Sequence, residues 1–147
     1  MVYSRLGKDE YFLQIASLVS QRSTCPRRQV GCVLVDSQNY IVATGYNGVP
    51  SGFRHCTEIP CKGAQSPSGE GLDLCEAIHA ETNAFLQLKS NEDLTAYVTV
   101  TPCVMCAKMI ANSRVKRLVA LELYKHTQAL EMLKKANIQV EIYDSNK

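Results

Sequence analysis

Two short motifs, His79-Ala80-Glu81 and Pro102-Cys103-Val104-Met105-Cys106, fall at the starts of two predicted helices with a predicted strand between them. One metal ion shared by His79, Cys103 and Cys106 obliges the fold to bring those helix starts together. A neutral imidazole and two thiolates balance the charge of Zn²⁺ and leave a fourth position for water. Three protein ligands with an open position suit a catalytic zinc, whereas structural zinc takes four. Cysteines at i and i+3 share a helix face, so both sulfurs can reach one ion. Helix N-termini favour thiolates through unpaired N–H groups and positive partial charge. The histidine is expected to ligate through one nitrogen, with its other nitrogen held by an acceptor elsewhere.

Zinc lowers the pKa of bound water from 15.7 towards about 7. Glu81 need not be a ligand and stands ready to take the water proton. It can return that proton to a ring nitrogen and then to a departing amine, so that ammonia leaves. A lone Cys-x-x-Cys reads as structural zinc or redox chemistry, and a lone His-x-Glu means little. Together they form the signature of zinc-dependent nucleobase deaminases.

The 147 residues suffice for one domain, residues 1–147, without a disulfide scaffold. A net charge of +2 is too mild to imply a long nucleic acid as partner. Seven cysteines, an odd number with one short spacing, point to metal rather than disulfides. Met1 to Gly7 has no apolar core, and no run approaches ~18 apolar residues, so a cytoplasmic protein with no membrane partner is expected.

Periodicity predicts helices over Asp9–Gln21, Ala77–Lys89, from Pro102 through Ser113, and Gln128–Ala136. Strands are predicted at Val30–Val35, Tyr40–Gly45, Ala96–Val100, Val115–Leu121 and Ile138–Ile142. Asn47 to Asp73 is aperiodic and rich in glycine and proline, a loop long enough to be functional or tied down. The order describes an α/β fold, one mixed five-stranded sheet covered on both faces. The strand after each helix is expected parallel to its neighbour, and the first hairpin makes the sheet mixed.

Arg22 to Gly31, Gly45 to Gly52, Ala77 to Glu81, and Tyr97-Val98-Thr99 leading into the cysteine helix resemble the deoxycytidylate (dCMP) deaminases of bacteria and phages. The resemblance runs from about residue 9 to residue 143. It implies a cytidine-deaminase-like three-layer α/β/α sandwich that converts dCMP to dUMP and ammonia, supplying dUMP for thymidylate synthesis. His79, Cys103 and Cys106 would hold zinc, and Glu81 would shuttle the proton. The Ala80 amide would face the pyrimidine carbonyl, Asn47 the sugar hydroxyl, and Tyr124 would stack on the base, a contact worth ~1–3 kcal/mol. Tyr124 reads equally as a partly exposed core tyrosine.

Gly45-Tyr46-Asn47-Gly48 resembles the family's regulatory motif, where dCTP with Mg²⁺ activates, dTTP inhibits, and hexamers are common. Asn-Gly is also an ordinary turn dipeptide. In some relatives a second, structural zinc pins the long loop. Cys25 and Cys56 match positions used there, and Cys75 with Cys61 (or His55) could complete a tetrahedral site. Arg22, Arg27 and Arg28 cluster before the first strand, and a guanidinium fork suits a monophosphate. Arg28 is the favoured phosphate ligand, although the sequence does not assign the three between substrate and effector. Two rivals remain open: another deaminase with the same core, acting on tRNA adenosine or free cytidine, and a zinc-stabilised binding module without turnover.

Overall fold

Near-continuous apolar runs form the central strands of a sheet that is buried there on both faces. The computed structural model describes residues 4–67, 70–71, 74–125 and 127–144. The strands are β1 (Gly31–Asp36), β2 (Ile41–Tyr46), β3 (Leu94–Val100), β4 (Val115–Glu122) and β5 (Gln139–Ile142). They stand in the order β2-β1-β3-β4-β5. The helices are α1 (Lys8–Ser20), α2 (Ala80–Leu86), α3 (Val104–Ala111) and α4 (Gln128–Lys135). Successive strand side chains point to opposite faces. Val33, Val35, Tyr97 and Val119 therefore pack with Phe12, Leu13 and Ala16 of α1. Cys32, Leu34, Ala96, Val98, Leu118 and Ala120 meet Ala84, Ile110 and Leu133, which belong to α2, α3 and α4. The expected three layers are present.

Strand direction departs from expectation at one place. β4 and β5 run parallel to their neighbours, but β3 is antiparallel to β1. β2 occupies the edge beside β1, so the chain passing through α2 returns on the far side of β1. β3 thus runs parallel to β2 yet bonds to β1, which points the other way.

Both ligand-bearing helices begin later than predicted. The helix expected over Ala77–Lys89 covers Ala80–Leu86, because Ile78 pairs instead with Gly48 through N–H···O bonds of 3.1 and 2.8 Å. His79 is left extended as the N-cap. Likewise Cys103, not Pro102, stands at the boundary of α3 as its N-cap. Ser113 lies past the end of α3, its hydroxyl donating to the Ile110 carbonyl at 2.6 Å.

The loop expected over Asn47–Asp73 continues to Ala77 and includes the 3-10 turn Gly63–Gln65; its residues 68–69 and 72–73 lie outside the described residues. Arg27 pins it. The guanidinium donates to the carbonyls of Gly63, of Pro67 at 3.1 Å and of Glu70 at 3.1 Å. Gly45 is fixed by packing: a Cβ there would overlap the Ala80 carbonyl and the Ala84 amide of α2. Among the described residues no helix is long and apolar enough to cross a membrane.

An ionic network ties α1 to the sheet. Arg117 donates to both Asp9 oxygens at 2.9 and 2.6 Å and to Glu141 at 2.6 Å, and the Tyr97 hydroxyl donates to Asp9 at 2.7 Å. The Arg117 hydrogen bond holds the Asp9 carboxyl below its ordinary 3.8, against the effect of burial. Arg117→Ala is expected to cost about 2–3 kcal/mol, as loss of charge-assisted bonds does, lowering Tm by roughly 5–10 °C. Because the folded value of Asp9 is depressed, its contribution is complete above the ordinary value and lost as pH falls through the folded one. Melting curves of wild type and Asp9→Asn should therefore differ at neutral pH and converge below about pH 4.

Candidate active site

The site lies at the carboxyl ends of β3 and β4, a common position for ligands in α/β sheets. From Val100 the chain passes through Thr101 and Pro102 into the cap of α3. The Cys103 sulfur accepts from the Cys106 N–H at 3.5 Å, which turns it towards the helix start. His79 caps α2 alongside. Its Nδ1 lies 3.3 Å from the Cys106 sulfur and 3.4 Å from the Cys103 sulfur. All three donor atoms lie within 4.8 Å of one another. Zn–S distances of about 2.3 Å and Zn–N of about 2.0 Å require donors this close, so the residues fit a zinc ion.

The electrostatics prepare the ligands. A hydrogen bond from Cys106 draws the Cys103 thiol down to about 4, against burial, and His79 adds to the effect. The same bond, with burial, pushes Cys106 up. The partnership with Cys103 raises His79. Metal binding requires deprotonated thiols and a neutral imidazole, so it expels whatever protons the three ligands hold.

Glu81, on the first turn of α2, lines the cleft yet is only 4% exposed. Burial lifts its carboxyl above the ordinary 4.5, outweighing its own backbone N–H and His79. A carboxyl so placed can hold a proton through a reaction instead of losing it at once to solvent. Arg28, Asn47, Ala80, Thr101 and Tyr124 line the same cleft.

Residues 6–122 match the family described as the cytidine and deoxycytidylate deaminase zinc-binding region. The chain belongs to this deaminase family. It is 42% identical over 124 residues to the deoxycytidylate deaminase of Mycobacterium phage D29, covering 79% of this chain and 95% of that one. It is 38% identical over 143 residues to the deoxycytidylate deaminase of Schizosaccharomyces pombe, covering 92% of this chain but only 44% of that one. The fold matches the crystal structure of the cyanophage S-TIM5 dCMP deaminase in complex with dCMP and dUMP. That likeness has a TM-score of 0.74 and 30% identity over 96% of this chain and all of the other.

Within this deaminase each expected residue has a definite setting. Asn47 is buried; its Oδ1 accepts from the Val30 N–H at 2.8 Å and its Nδ2 donates to the Arg28 carbonyl at 2.7 Å. An amide has two donors and two lone pairs, so half of its capacity remains for a ligand. Ala80 is the first residue of α2, and its N–H has no partner inside the helix. The Tyr124 N–H donates to the Thr101 hydroxyl at 2.7 Å, fixing the tyrosine in the cleft wall.

The arginines separate. Arg27 and Arg28 both line the cleft, but the Arg27 guanidinium is occupied by loop carbonyls, and Arg22 lines a second groove with Gly45, Tyr46 and Gly48. His55 lies in that groove too. Of the loop cysteines, Cys56 and Cys61 are buried, and Cys25 and Cys75 line the edge of the cleft. Among the described residues the tight donor cluster is His79, Cys103 and Cys106, and the four loop sulfurs form none as close.

Sequence reading missed Thr101 and Glu122. Thr101 is 3% exposed and holds Tyr124; its place just before Pro102-Cys103 was a usable signal. Glu122 pairs with Arg28 at 2.8 Å, and nothing in its sequence surroundings indicates this.

Proposed function

We propose that this chain is a cytoplasmic deaminase domain that hydrolyses dCMP to dUMP and ammonia, supplying dUMP for thymidylate synthesis. The observation that carries this is a single cleft lined by His79, Cys103, buried Glu81 and the Arg28 guanidinium, with Cys106 completing the donor triad beside it. When bound by the triad, zinc lowers the pKa of water towards about 7. Glu81 takes the proton of the attacking water, passes it to the ring nitrogen, and then carries a proton to the departing amine. Tyr124 stacks on the base, the Ala80 amide faces the pyrimidine carbonyl, Asn47 bonds the sugar hydroxyl, and Arg28 binds the phosphate.

Regulation belongs to the same reading. Gly45, Tyr46 and Gly48 border a groove of about 810 Å³, within the usual range for nucleotide-sized ligands, whereas Asn47 between them lines the cleft. An effector there would act on the backbone that carries Asn47. Arg22 is the cation suited to its phosphates, and Mg²⁺ would be held by the phosphates, since no carboxylate lines the groove among the described residues. dCTP is the activator and dTTP the inhibitor in this reading.

A second zinc at Cys25, Cys56, Cys61 and Cys75 is supported by the burial of two of these thiols. It is also supported by Cys61, whose pKa falls despite burial because N–H groups of Glu76, Ala64 and Gly63 and the Cys56 thiol favour its thiolate. The exposed apolar side chains of Leu86 on α2 and Met105 on α3 favour a homo-oligomer, and a hexamer is the form proposed.

Zinc-loaded protein offered dCMP, CMP, deoxycytidine and dCDP separately should turn over dCMP best, with dTTP inhibiting and dCTP restoring the rate. Equal turnover of deoxycytidine would remove the phosphate reading. Kinetics indifferent to both triphosphates would remove the regulatory one.

A further inference from the structure

Glu122 is the last residue of β4, and its carbonyl accepts from the N–H of cleft-lining Thr101 at 2.9 Å. Strand alternation sends its side chain to the same face as Ala120, the face covered by α2 and α3. From there the carboxylate reaches the Arg28 guanidinium at 2.8 Å. Arg28 lines the cleft, and its carbonyl is fixed by the buried Asn47 amide. The ion pair thus ties the end of β4 to a cleft-lining residue 94 positions away in sequence.

We propose that Glu122 is an internal competitor for Arg28, a positioning residue that the substrate's phosphate must displace. This rests on the reading of Arg28 as the phosphate ligand. The two side chains are 42% and 67% exposed, so the pair is weak and yields readily. A phosphate monoester carries about −1.5 to −2 charge and three acceptor oxygens, against one negative charge on the carboxylate. It can therefore win the guanidinium, whereas a neutral nucleoside leaves the pair closed. The carboxylate occupies the Arg28 guanidinium and sets the charge a ligand must bring. A bare arginine would bind any anion more tightly and discriminate less.

The test compares wild type, Glu122→Gln, Glu122→Asp, Arg28→Ala and the Glu122→Gln/Arg28→Ala double variant in steady-state kinetics with dCMP and deoxycytidine. The proposal expects Glu122→Gln to lower KM for dCMP by about three- to fivefold, the factor a weak exposed pair represents. kcat should stay within about twofold, deoxycytidine kinetics should not move, and the effect should vanish when Arg28 is absent. Glu122→Asp, which restores the charge, should return KM towards wild type. A role confined to stability would not separate KM from kcat in this way.

An unchanged or raised KM in Glu122→Gln, with KM raised in Arg28→Ala, would overturn the competitor and leave Arg28 as the phosphate ligand. An unchanged KM in Arg28→Ala would overturn both. Inorganic phosphate binding followed by phosphorus NMR supplies the same comparison without turnover. Tighter phosphate binding in Glu122→Gln than in wild type supports the competitor, and equal binding overturns it even if dCMP proves not to be the substrate.

Discussion

Glu81→Gln is expected to reduce dCMP turnover by about 10²–10⁴-fold or more, the range that a positioned acid–base group contributes. Zinc content and thermal stability should change little, because the amide keeps the shape of a side chain that lies outside the donor triad. The loss should fall on kcat, with KM close to wild type, since the carboxylate acts on protons in flight and not on the bound nucleotide. Metal analysis beside steady-state kinetics checks both halves. A variant that keeps its zinc and at least a tenth of wild-type activity would sink the proton-shuttle role.

The second large effect is expected from Cys106→Ala. Cys106 is 3% exposed, so no neighbouring thiol can move in to replace it without rebuilding α3. Zinc should fall by one equivalent per chain and deamination should drop below detection, as water regains a pKa near 15.7 without the ion. The helix itself should persist, because removing a thiol leaves a good helix former in place. Atomic absorption with circular dichroism separates loss of metal from loss of fold. Wild type carrying two zinc ions per chain, and this variant one, would also support the second site in the loop; a single ion in wild type would remove it. Retention of full zinc with activity within tenfold of wild type would refute the triad.

The legible part of the site and the illegible part differ in kind. His79, Cys103 and Cys106 were readable because few tasks require an imidazole and two closely spaced sulfurs at helix starts. Their exact placement was not: the bridge between Ile78 and Gly48 holds His79 outside α2, and that contact spans the long loop. The strands were readable as short apolar, β-branched runs, but the antiparallel pairing of β1 with β3 depends on β2 already occupying the other edge of β1.

Arg27 and Arg28 mark the boundary most sharply. They are adjacent and chemically identical, yet one is spent on loop carbonyls and the other pairs with Glu122. The Gly45–Gly48 segment divides in the same way. Gly45 serves close packing on α2, Asn47 braces the backbone of Val30 and Arg28, and Gly48 joins the bridge to Ile78. The metal-ligand chemistry and the layered α/β class were legible in the chain, because residue type and local period carry that information. Which arginine the loop carbonyls occupy, where the helices begin and what pairs with Arg28 came only from the folded structure, because each depends on contacts between segments far apart in the chain.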